Sequence, residues 1–545
     1  MKVKSMHNCK WVCVSMGIAL SSWPISALAL NVVNYSDATN QFMFIENQED
    51  NDYFVTPVNV LDPRLTGGSA WTSLKNTRQR SLAYVDPGNN FVAGGYYIDM
   101  WEENSPIPYP YTTHRCIDSV DNCNMDTGTS IFGPPPLVDS KGFYGIRAAY
   151  GWSHAEISSS FFSYIRNMNV GETLSRTMHY CRTTAIYDPT KGERCSEQTT
   201  GNWASRTVHQ TKESHLILKR TNAVTHLMVD SAGNPIILPG STGCEEATVS
   251  GRKGAVCEFL DFDLQTMGGS YSNIGIDTTL MKGLSLASNY DLQKSANKAS
   301  WVTHGSYLRL TNLVGNNKIY LFMSNNLLTR LITLNNGDIS ARDYFKFLFY
   351  NSLAPESGYY ELSGTTEINI HPREFLVTIN SSDGTSNPYR RGNIGSDILN
   401  FNYDIVASAP ITSSSLDISV SQDIPGTWNN GYCLFYPDNS KSVDQAVPVP
   451  AYISFRQASG SIYRELIHCD NGTISLQDNN IIESQPSVET PLPDNSGDVI
   501  YTTFYNLDLD FDLTDTISER TTSDSFWEGE VHQSGTITVK ATWNE

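Results

Sequence analysis

Short runs of alternating apolar and polar residues, separated by turn-forming segments, recur along most of this chain. The runs have the length and the period of half-buried β-strands. Examples are FMFIEN (42–47), SHLILKR (214–220), KIYLFM (318–323), FLVTI (375–379) and LDISV (416–420). The joints between them are rich in Pro, Gly and Asn: SPIPYPY (105–111), GPPPLVDSKG (133–142), VPVPA (447–451) and ETPLPDNSGD (489–498). The pattern predicts a mainly β protein of tandem immunoglobulin-like or other β-sandwich domains.

A few short helices are expected to interrupt the strands. In SHAEISSSFFSYIRNM (153–168), Ser153 and Glu156 have the spacing of a capping box. Apolar residues then fall on one helical face: Ile157, Phe161, Ile165 and Met168. NNLLTRLITL (325–334) has a weaker helical pattern and predicts a second helix.

The first 29 residues have the three parts of a secretory signal peptide. Lys2, Lys4 and Lys10 precede an apolar stretch (11–20), and Ala27-Leu28-Ala29 is the small-x-small pattern of a cleavage site. The alternative is a membrane anchor, but the apolar run is too short to cross a bilayer. We therefore predict an exported chain, cleaved after Ala29.

The exported chain is strongly acidic. Loss of three lysines with the signal takes the formal net charge from -20 to -23. A chain of this sign is poorly suited to nucleic acid, so no nucleic-acid partner is expected. Residues 30–545 are also too many for one ordinary core, which predicts two or three domains.

Eight of the ten cysteines remain after export, because Cys9 and Cys13 lie in the signal. Eight cysteines permit 105 pairings. Their sequential spacing favours nearest neighbours: Cys116–Cys123, Cys181–Cys195, Cys244–Cys257 and Cys433–Cys469. Zinc binding is the alternative, but no CxxC pair and no histidines at ligand spacing accompany them. Disulfides are therefore predicted, with no metal or cofactor.

No catalytic motif is evident. Asp508, Asp510 and Asp512 have calcium-loop spacing, but Leu513 stands where such a loop needs glycine. Apolar residues alternate with the three acids, which indicates a strand with one carboxylate face. Ser295 and Lys298 form an S-x-x-K pair without the other motifs of penicillin-interactive enzymes.

Aromatic residues are concentrated between 96 and 111, close to Arg115. Exposed aromatic rings can stack on sugar rings, while arginine binds sugar hydroxyls, so this segment is a candidate receptor site for a glycan. The candidate residues are Trp101, Tyr109, Tyr111 and Arg115. The alternative is that several of these rings belong to a sandwich core, since strand alternation already accounts for Trp101.

The last segment, SGTITVKATWNE, reads as a half-buried strand. Apolar Ile537, Val539, Ala541 and Trp543 alternate with polar residues. No later segment could cover the strand's outer edge, which leads us to expect a strand from another chain there.

Several long strings are similar to one known family. They are FMFIENQEDNDYFVTPVNVLDPRLTG (42–67), DMWEENSP (99–106), GERCSEQTTGNW (192–203), PESGYYE (355–361) and FWEGEVHQSGTITVKATW (526–543). Together with the eight-cysteine layout, they resemble the tip adhesins of the Escherichia coli common pilus, of the alternate chaperone–usher class. The resemblance extends over essentially the whole exported chain.

The resemblance implies a minor subunit at the fimbrial tip, needed for fibre assembly and for adhesion to host or environmental surfaces. Its partners would be a periplasmic chaperone, an outer-membrane usher, the major pilin and a surface receptor. A region 30–370, with two lobes divided near 220, would carry adhesion. A pilin-like domain at 371–545 would lack its last strand, and 30–40 could donate a strand if the subunit polymerises. A secreted β-sandwich carbohydrate-active enzyme is the alternative function.

Overall fold

The computed structural model describes residues 30–59, 65–68, 83–85, 95–116, 134–147, 153–230, 232–268, 271–334, 338–353, 359–372, 376–411, 413–491 and 499–543. Over these ranges the chain forms strands in several sheets and only two α-helices, as the sequence pattern predicted. Neither helix has the length and apolarity needed to cross a membrane.

The N-terminal part contains twelve strands and one helix. They are β1 (Val32–Asn34), β2 (Ala38–Asn47), β3 (Asp52–Pro57), β4 (Leu65–Gly68), β5 (Ala83–Val85), β6 (Tyr97–Glu103), β7 (Tyr111–Cys116), β8 (Leu137–Val138), β9 (Gly142–Arg147), β10 (Ser153–Ile157), α1 (Ser159–Asn167), β11 (Thr173–Thr183) and β12 (Asn202–Leu218). The 17-residue strand β12 joins this sheet together, since it pairs with both β11 and β2.

The middle part continues with thirteen strands and the second helix. They are β13 (Val224–Val229), β14 (Pro235–Ile237), β15 (Cys244–Val249), β16 (Arg252–Thr266), β17 (Ile274–Leu280), β18 (Leu292–Ser295), β19 (Val302–Thr303), β20 (Leu308–Arg309), β21 (Lys318–Ser324), α2 (Asn325–Leu334), β22 (Ile339–Ser340), β23 (Phe345–Asn351), β24 (Tyr359–Leu362) and β25 (Glu367–Pro372). Strand β16 pairs with the end of β12, so the first sheet extends into the middle part.

The β2–β3 hairpin contributes to two hydrophobic cores. Phe42, Phe44 and Val55 pack into the N-terminal core. On the opposite face, Ile45 and Phe54 pack into the middle core. Because side chains alternate along a strand, one hairpin supplies both cores and fixes the two parts against each other.

Over its described residues, the C-terminal part is a β-sandwich whose strands form three sheets. Its strands are β26 (Leu376–Ser381), β27 (Ile398–Ala409), β28 (Ser415–Gln422), β29 (Cys433–Pro437), β30 (Val447–Val449), β31 (Ala451–Arg456), β32 (Ile462–Ile467), β33 (Asp470–Ser475), β34 (Gln485–Pro491), β35 (Val499–Asp512), β36 (Val531–His532) and β37 (Gly535–Thr542). The largest sheet has the order β26-β27-β35-β31-β32, with β34 beside β35. Two smaller sheets have the orders β33-β28-β37 and β30-β29-β36. Asp508 and Asp510 lie in β35, where they alternate with the buried Leu507 and Leu509, as the sequence pattern predicted.

Both predicted helices are present, but the predicted start of α1 was wrong. Ser153 and Glu156 belong to β10, which pairs with β7. The N-cap is Ser158, whose hydroxyl accepts a hydrogen bond from the Phe161 N–H at 3.1 Å. Residues 153–157 pair with β7 as a strand, so the helix begins only after Ser158.

Three of the four predicted disulfides are observed. They are Cys181–Cys195, Cys244–Cys257 and Cys433–Cys469. The fourth, Cys116–Cys123, lies outside the described residues, because Cys123 is not among them.

The segment 30–40 does not form a free extension. β1 pairs in parallel with β12, with Val32 opposite Trp203. Beyond it, β2 pairs in parallel with the rest of the same strand, from Ala38 opposite Val208. The expectation that this segment could be donated to another subunit is therefore wrong for this structure, because the segment completes its own sheet.

Backbone hydrogen bonds connect the middle and C-terminal parts. The Val224 N–H donates to the Gly384 carbonyl at 3.0 Å, and the Ser386 N–H donates to the Asn222 carbonyl at 3.3 Å. Beside them, Met228 and Leu238 pack against Leu376, Val406 and Phe504. The outer face of β26 is thus covered by the middle part.

Candidate functional site

Strand β37 has one bonded edge and one open edge. It pairs with β28 from Ser415 opposite Thr542 to Gln422 opposite Gly535. Within the described ranges no strand pairs with its other edge. Strand β26 is likewise at the end of its sheet and pairs only with β27 in the part of the chain that is described. The two open edges lie close to each other.

The backbone of β37 indicates which groups the open edge presents. The carbonyls of Thr542 and Ser534 accept hydrogen bonds from the N–H groups of Ser414 and Asp423, the two residues that flank β28. Alternate residues in a strand direct their backbone groups to the same side. The N–H and C=O groups of Ile537, Val539 and Ala541 therefore point away from β28, toward the open edge.

The side chains of the same three residues point into the sandwich. Ile537, Val539 and Ala541 are half-buried against the C-terminal core, whereas Thr538 and Lys540 are exposed on the other face. From β26, Val377 and Ile379 also pack against this core while only half-buried. Incomplete burial of inward-facing apolar side chains on both strands indicates that the sandwich lacks a layer of contacts here.

A cleft of about 1240 Å³ opens at this place. Its apolar floor includes Leu399, Phe401, Phe435, Phe511 and Leu513. The ring of Phe511 lies edge-on to Phe401 and to Phe435, with centroids 5.8 Å apart in both pairs. All three rings remain only half-buried although they face the interior. An extended segment with apolar side chains would bury them.

Charged residues surround the mouth of the cleft. Arg390 pairs with Asp383 at 2.7 Å and donates from Nε to the Asn400 carbonyl at 2.9 Å. Its guanidinium also lies 5.1 Å from the Phe401 ring centroid. These contacts hold the loop 382–397 beside the open part of β27.

The predicted receptor residues separate into two groups. Tyr111 is fully buried, and its hydroxyl bonds to Glu102 while Arg176 NH1 donates to it at 3.1 Å. The prediction that Tyr111 contacts a receptor is therefore wrong, because its ring belongs to the N-terminal core. Trp101 is half-buried and stacks on His179, with centroids 4.8 Å apart and planes at 6°.

Tyr109 is the accessible member of the set. Its side chain is 54% exposed, and its φ of 53° turns it outward between Pro108 and Pro110. Arg115 lies in β7 opposite His154, and its side chain is outside the described set. Trp203, which sequence reasoning missed, packs beside Trp101 at 5.8 Å. Tyr109 and the exposed part of the Trp101 side chain therefore remain candidates for receptor contact.

Three family models match successive stretches of the chain. The E. coli common pilus adhesin EcpD N-terminal domain matches residues 30–216, the EcpD middle domain matches 220–367, and the EcpD C-terminal domain matches 374–541. Fimbria adhesin EcpD of Escherichia coli strain K12 is 35% identical over 550 aligned residues, covering 97% of this chain and 98% of the relative. The protein of the same name from strain O157:H7 is 34% identical over the same shares.

Among solved structures, the CfaE adhesive subunit of CFA/I fimbria from enterotoxigenic Escherichia coli is 11% identical, with a TM-score of 0.17 over 54% of this chain and 80% of that one. A likeness this weak adds nothing to the assignment. The sequence matches, in contrast, extend over nearly the whole chain at one identity in three. The chain belongs to the Escherichia coli common pilus adhesin family, EcpD.

Proposed function

We propose that the C-terminal cleft accepts a β-strand from another chain, and that the protein sits at the tip of surface fimbriae. A periplasmic chaperone would supply the strand first. At the outer-membrane usher, the N-terminal extension of the major pilin would replace it. The 1240 Å³ cleft between two open strand edges is the observation that carries this proposal.

Two kinds of interaction would hold the incoming strand. The N–H and C=O groups of Ile537, Val539 and Ala541 would extend the β28–β37 sheet by one strand. Alternate apolar side chains of the donor would cover Phe401, Phe435 and Phe511. Each apolar side chain that becomes fully buried contributes about 1.5–3 kcal/mol, which explains why the cleft would require an occupant.

A position at the fibre end is favoured by the state of segment 30–40. An internal subunit must both accept a strand and donate one. Here β1 and β2 are held in parallel along β12, and the Leu30 N–H donates to the Ser196 carbonyl at 3.0 Å. A chain that accepts without donating ends the fibre.

Adhesion is assigned in this proposal to region 30–370, and the pilin-like role to 371–545. The C-terminal cleft must face the chaperone or the next subunit, which leaves the upstream region to bind a host or environmental receptor, with a glycan as the leading candidate. Tyr109 supports this placement, because it is exposed by 54% on a loop of region 30–370. The role is non-enzymatic.

The test is to supply the missing strand in cis. A linker and the N-terminal segment of the major pilin are fused after Glu545, and the chain is produced without chaperone. We expect the fusion to be soluble and protease-resistant, unlike the native chain. A control fusion carries the same segment with its inward apolar residues changed to serine. If the apolar and serine fusions behave alike, the strand-acceptor function is wrong.

A further inference from the structure

The cleft continues past β26 onto the middle part, and there its lining is polar. Val224 lies opposite Glu367, and His226 opposite Asn369, in the parallel β13–β25 pair. All four residues line the cleft. The Val224 N–H bond to the Gly384 carbonyl fixes this wall beside β26. We name His226, Glu367 and Asn369 the polar wall.

Asn380 in β26 has an unusual environment beside this wall. It is only 6% exposed and also lines the cleft. Within the described ranges, neither its Nδ2 nor its Oδ1 has a hydrogen-bond partner. A buried unpaired amide costs about 1–3 kcal/mol, so a hydrogen-bonding partner for Asn380 would stabilise the fold.

The alternation of β26 places Asn380 on the outer face. Val377 and Ile379 point into the sandwich, and Asn380 therefore points the opposite way, toward the middle part. A strand added beside β26 would alternate in the same manner. Its inward side chains would enter the apolar floor, while its outward side chains would reach Asn380 and the polar wall.

The charges of the cleft also distinguish its two ends. Arg390 and Arg391 at the mouth are paired with Asp383 and Glu530. Glu367 forms no ion pair within the described residues, so the wall presents an unneutralised carboxylate to the cleft. Burial and the neighbouring His371 lower the pKa of His226 to about 4, so it offers a neutral ring at neutral pH.

We propose that the polar wall and Asn380 recognise the outward-facing side chains of the donor strand. This inference rests on the proposed strand-acceptor function. The preferred donor is an extended peptide whose outward residues form hydrogen bonds, with a cationic side chain opposite Glu367. The acceptor site is thus shared by two parts of the chain, and a bound donor joins them.

The experiment uses the full chain purified with its chaperone. A fluorescent synthetic peptide with the N-terminal sequence of the major pilin is added, and its dissociation constant is measured after chaperone exchange. Asn380→Leu and Glu367→Gln should each weaken binding by about 3–10-fold, the range expected for one lost hydrogen bond. Glu361→Gln, a carboxylate of β24 outside the cleft, should have no effect.

A second set of peptides shows whether weaker binding comes from a lost contact with the outward side chains of the donor or from damage to the acceptor site as a whole. Alanine replacements at the outward positions should weaken binding to the wild type and have less effect on the Asn380→Leu variant. Equal affinity of wild type, Asn380→Leu and Glu367→Gln would overturn the inference while leaving the acceptor function intact. Failure of the peptide to bind the wild-type chain at all would instead overturn the acceptor function. Glu367 is half-exposed, so Glu367→Gln can test the inference alone if Asn380→Leu does not fold.

Discussion

The hydroxyl of Tyr360 donates a hydrogen bond to the carboxylate of Asp52. The two residues belong to β24 and β3, so the contact joins the middle and N-terminal parts of the chain. Two residues after Asp52 in the same strand, Phe54 stacks on the same tyrosine, with centroids 5.0 Å apart and planes at 10°. The N-terminal and middle parts of region 30–370 are therefore joined by a hydrogen bond and by a stacked aromatic pair, and both contacts involve Tyr360.

The partly buried Asp52 carboxyl predicts a pH dependence. Burial and the nearby Asp50 raise the pKa of Asp52 from 3.8 to about 7. A carboxyl whose pKa is higher in the folded state stabilises the fold below its unfolded pKa, and that stability is lost as pH rises through about 7. In the strand-complemented fusion, Asp52→Asn should therefore flatten the fall in thermal midpoint between pH 4 and pH 8. Parallel midpoint profiles for the two proteins would contradict the assignment.

The disulfides should differ in their effect on stability. Cys433–Cys469 closes 36 residues, against 14 for Cys181–Cys195. Loop entropy then makes the first about 1 kcal/mol more stabilising than the second, and its loss should cost about 2–5 kcal/mol. Chemical denaturation of the two double Cys→Ala variants measures both. An equal cost, or a larger one for Cys181–Cys195, would argue against this ranking.

Neighbouring residues of β37 provide a matched pair for testing the cleft. Ile537 faces the interior and lines the cleft, whereas Thr538 faces solvent. Ile537→Lys places a charge where the donor side chains must pack, and should abolish incorporation into fibres. Thr538→Lys adds the same charge one residue away and should leave incorporation unchanged. Immunogold labelling measures the fraction of fibre tips that carry each variant. Equal labelling for the two variants would exclude this cleft from assembly.

Receptor binding should depend on Tyr109 more cleanly than on Trp101. Tyr109 is largely exposed, so Tyr109→Ala should reduce cell adhesion with little effect on stability. Its free energy of unfolding should stay within about 0.5 kcal/mol of the wild-type value. Trp101→Ala also removes the packing on His179 and should lower both cell adhesion and the free energy of unfolding. Tyr290→Ala, at 51% exposure, is the control. Undiminished adhesion of Tyr109→Ala fibres would remove this loop from the receptor site.

The sequence predicted those features that depend on local pattern. Alternation in β37 and β35 correctly indicated inward apolar side chains, and the cysteine spacing indicated three observed disulfides. The errors arose where distant segments meet. Tyr111 is buried because Arg176, 65 residues away, comes to lie beside it.

The cleft itself also depends on long-range contacts. Ile379 and Phe511 are far apart in sequence, and only the folded sandwich shows that both face the same opening. Asn380 could not be singled out at all, because an asparagine in a strand has no sequence signal for an unpaired amide. The parallel pairing of 30–40 with β12 was equally invisible, since it joins residues about 170 positions apart.

Backbone amide exchange along β37 tests the strand-acceptor account most directly. It is followed residue by residue in the native chain released from chaperone and in the strand-complemented fusion. We predict that Thr538 and Lys540, whose amides face β28, are protected in both. The amides of Ile537, Val539 and Ala541 should exchange rapidly in the released chain and become protected in the fusion. Rapid exchange of these three amides in a folded fusion would contradict the account.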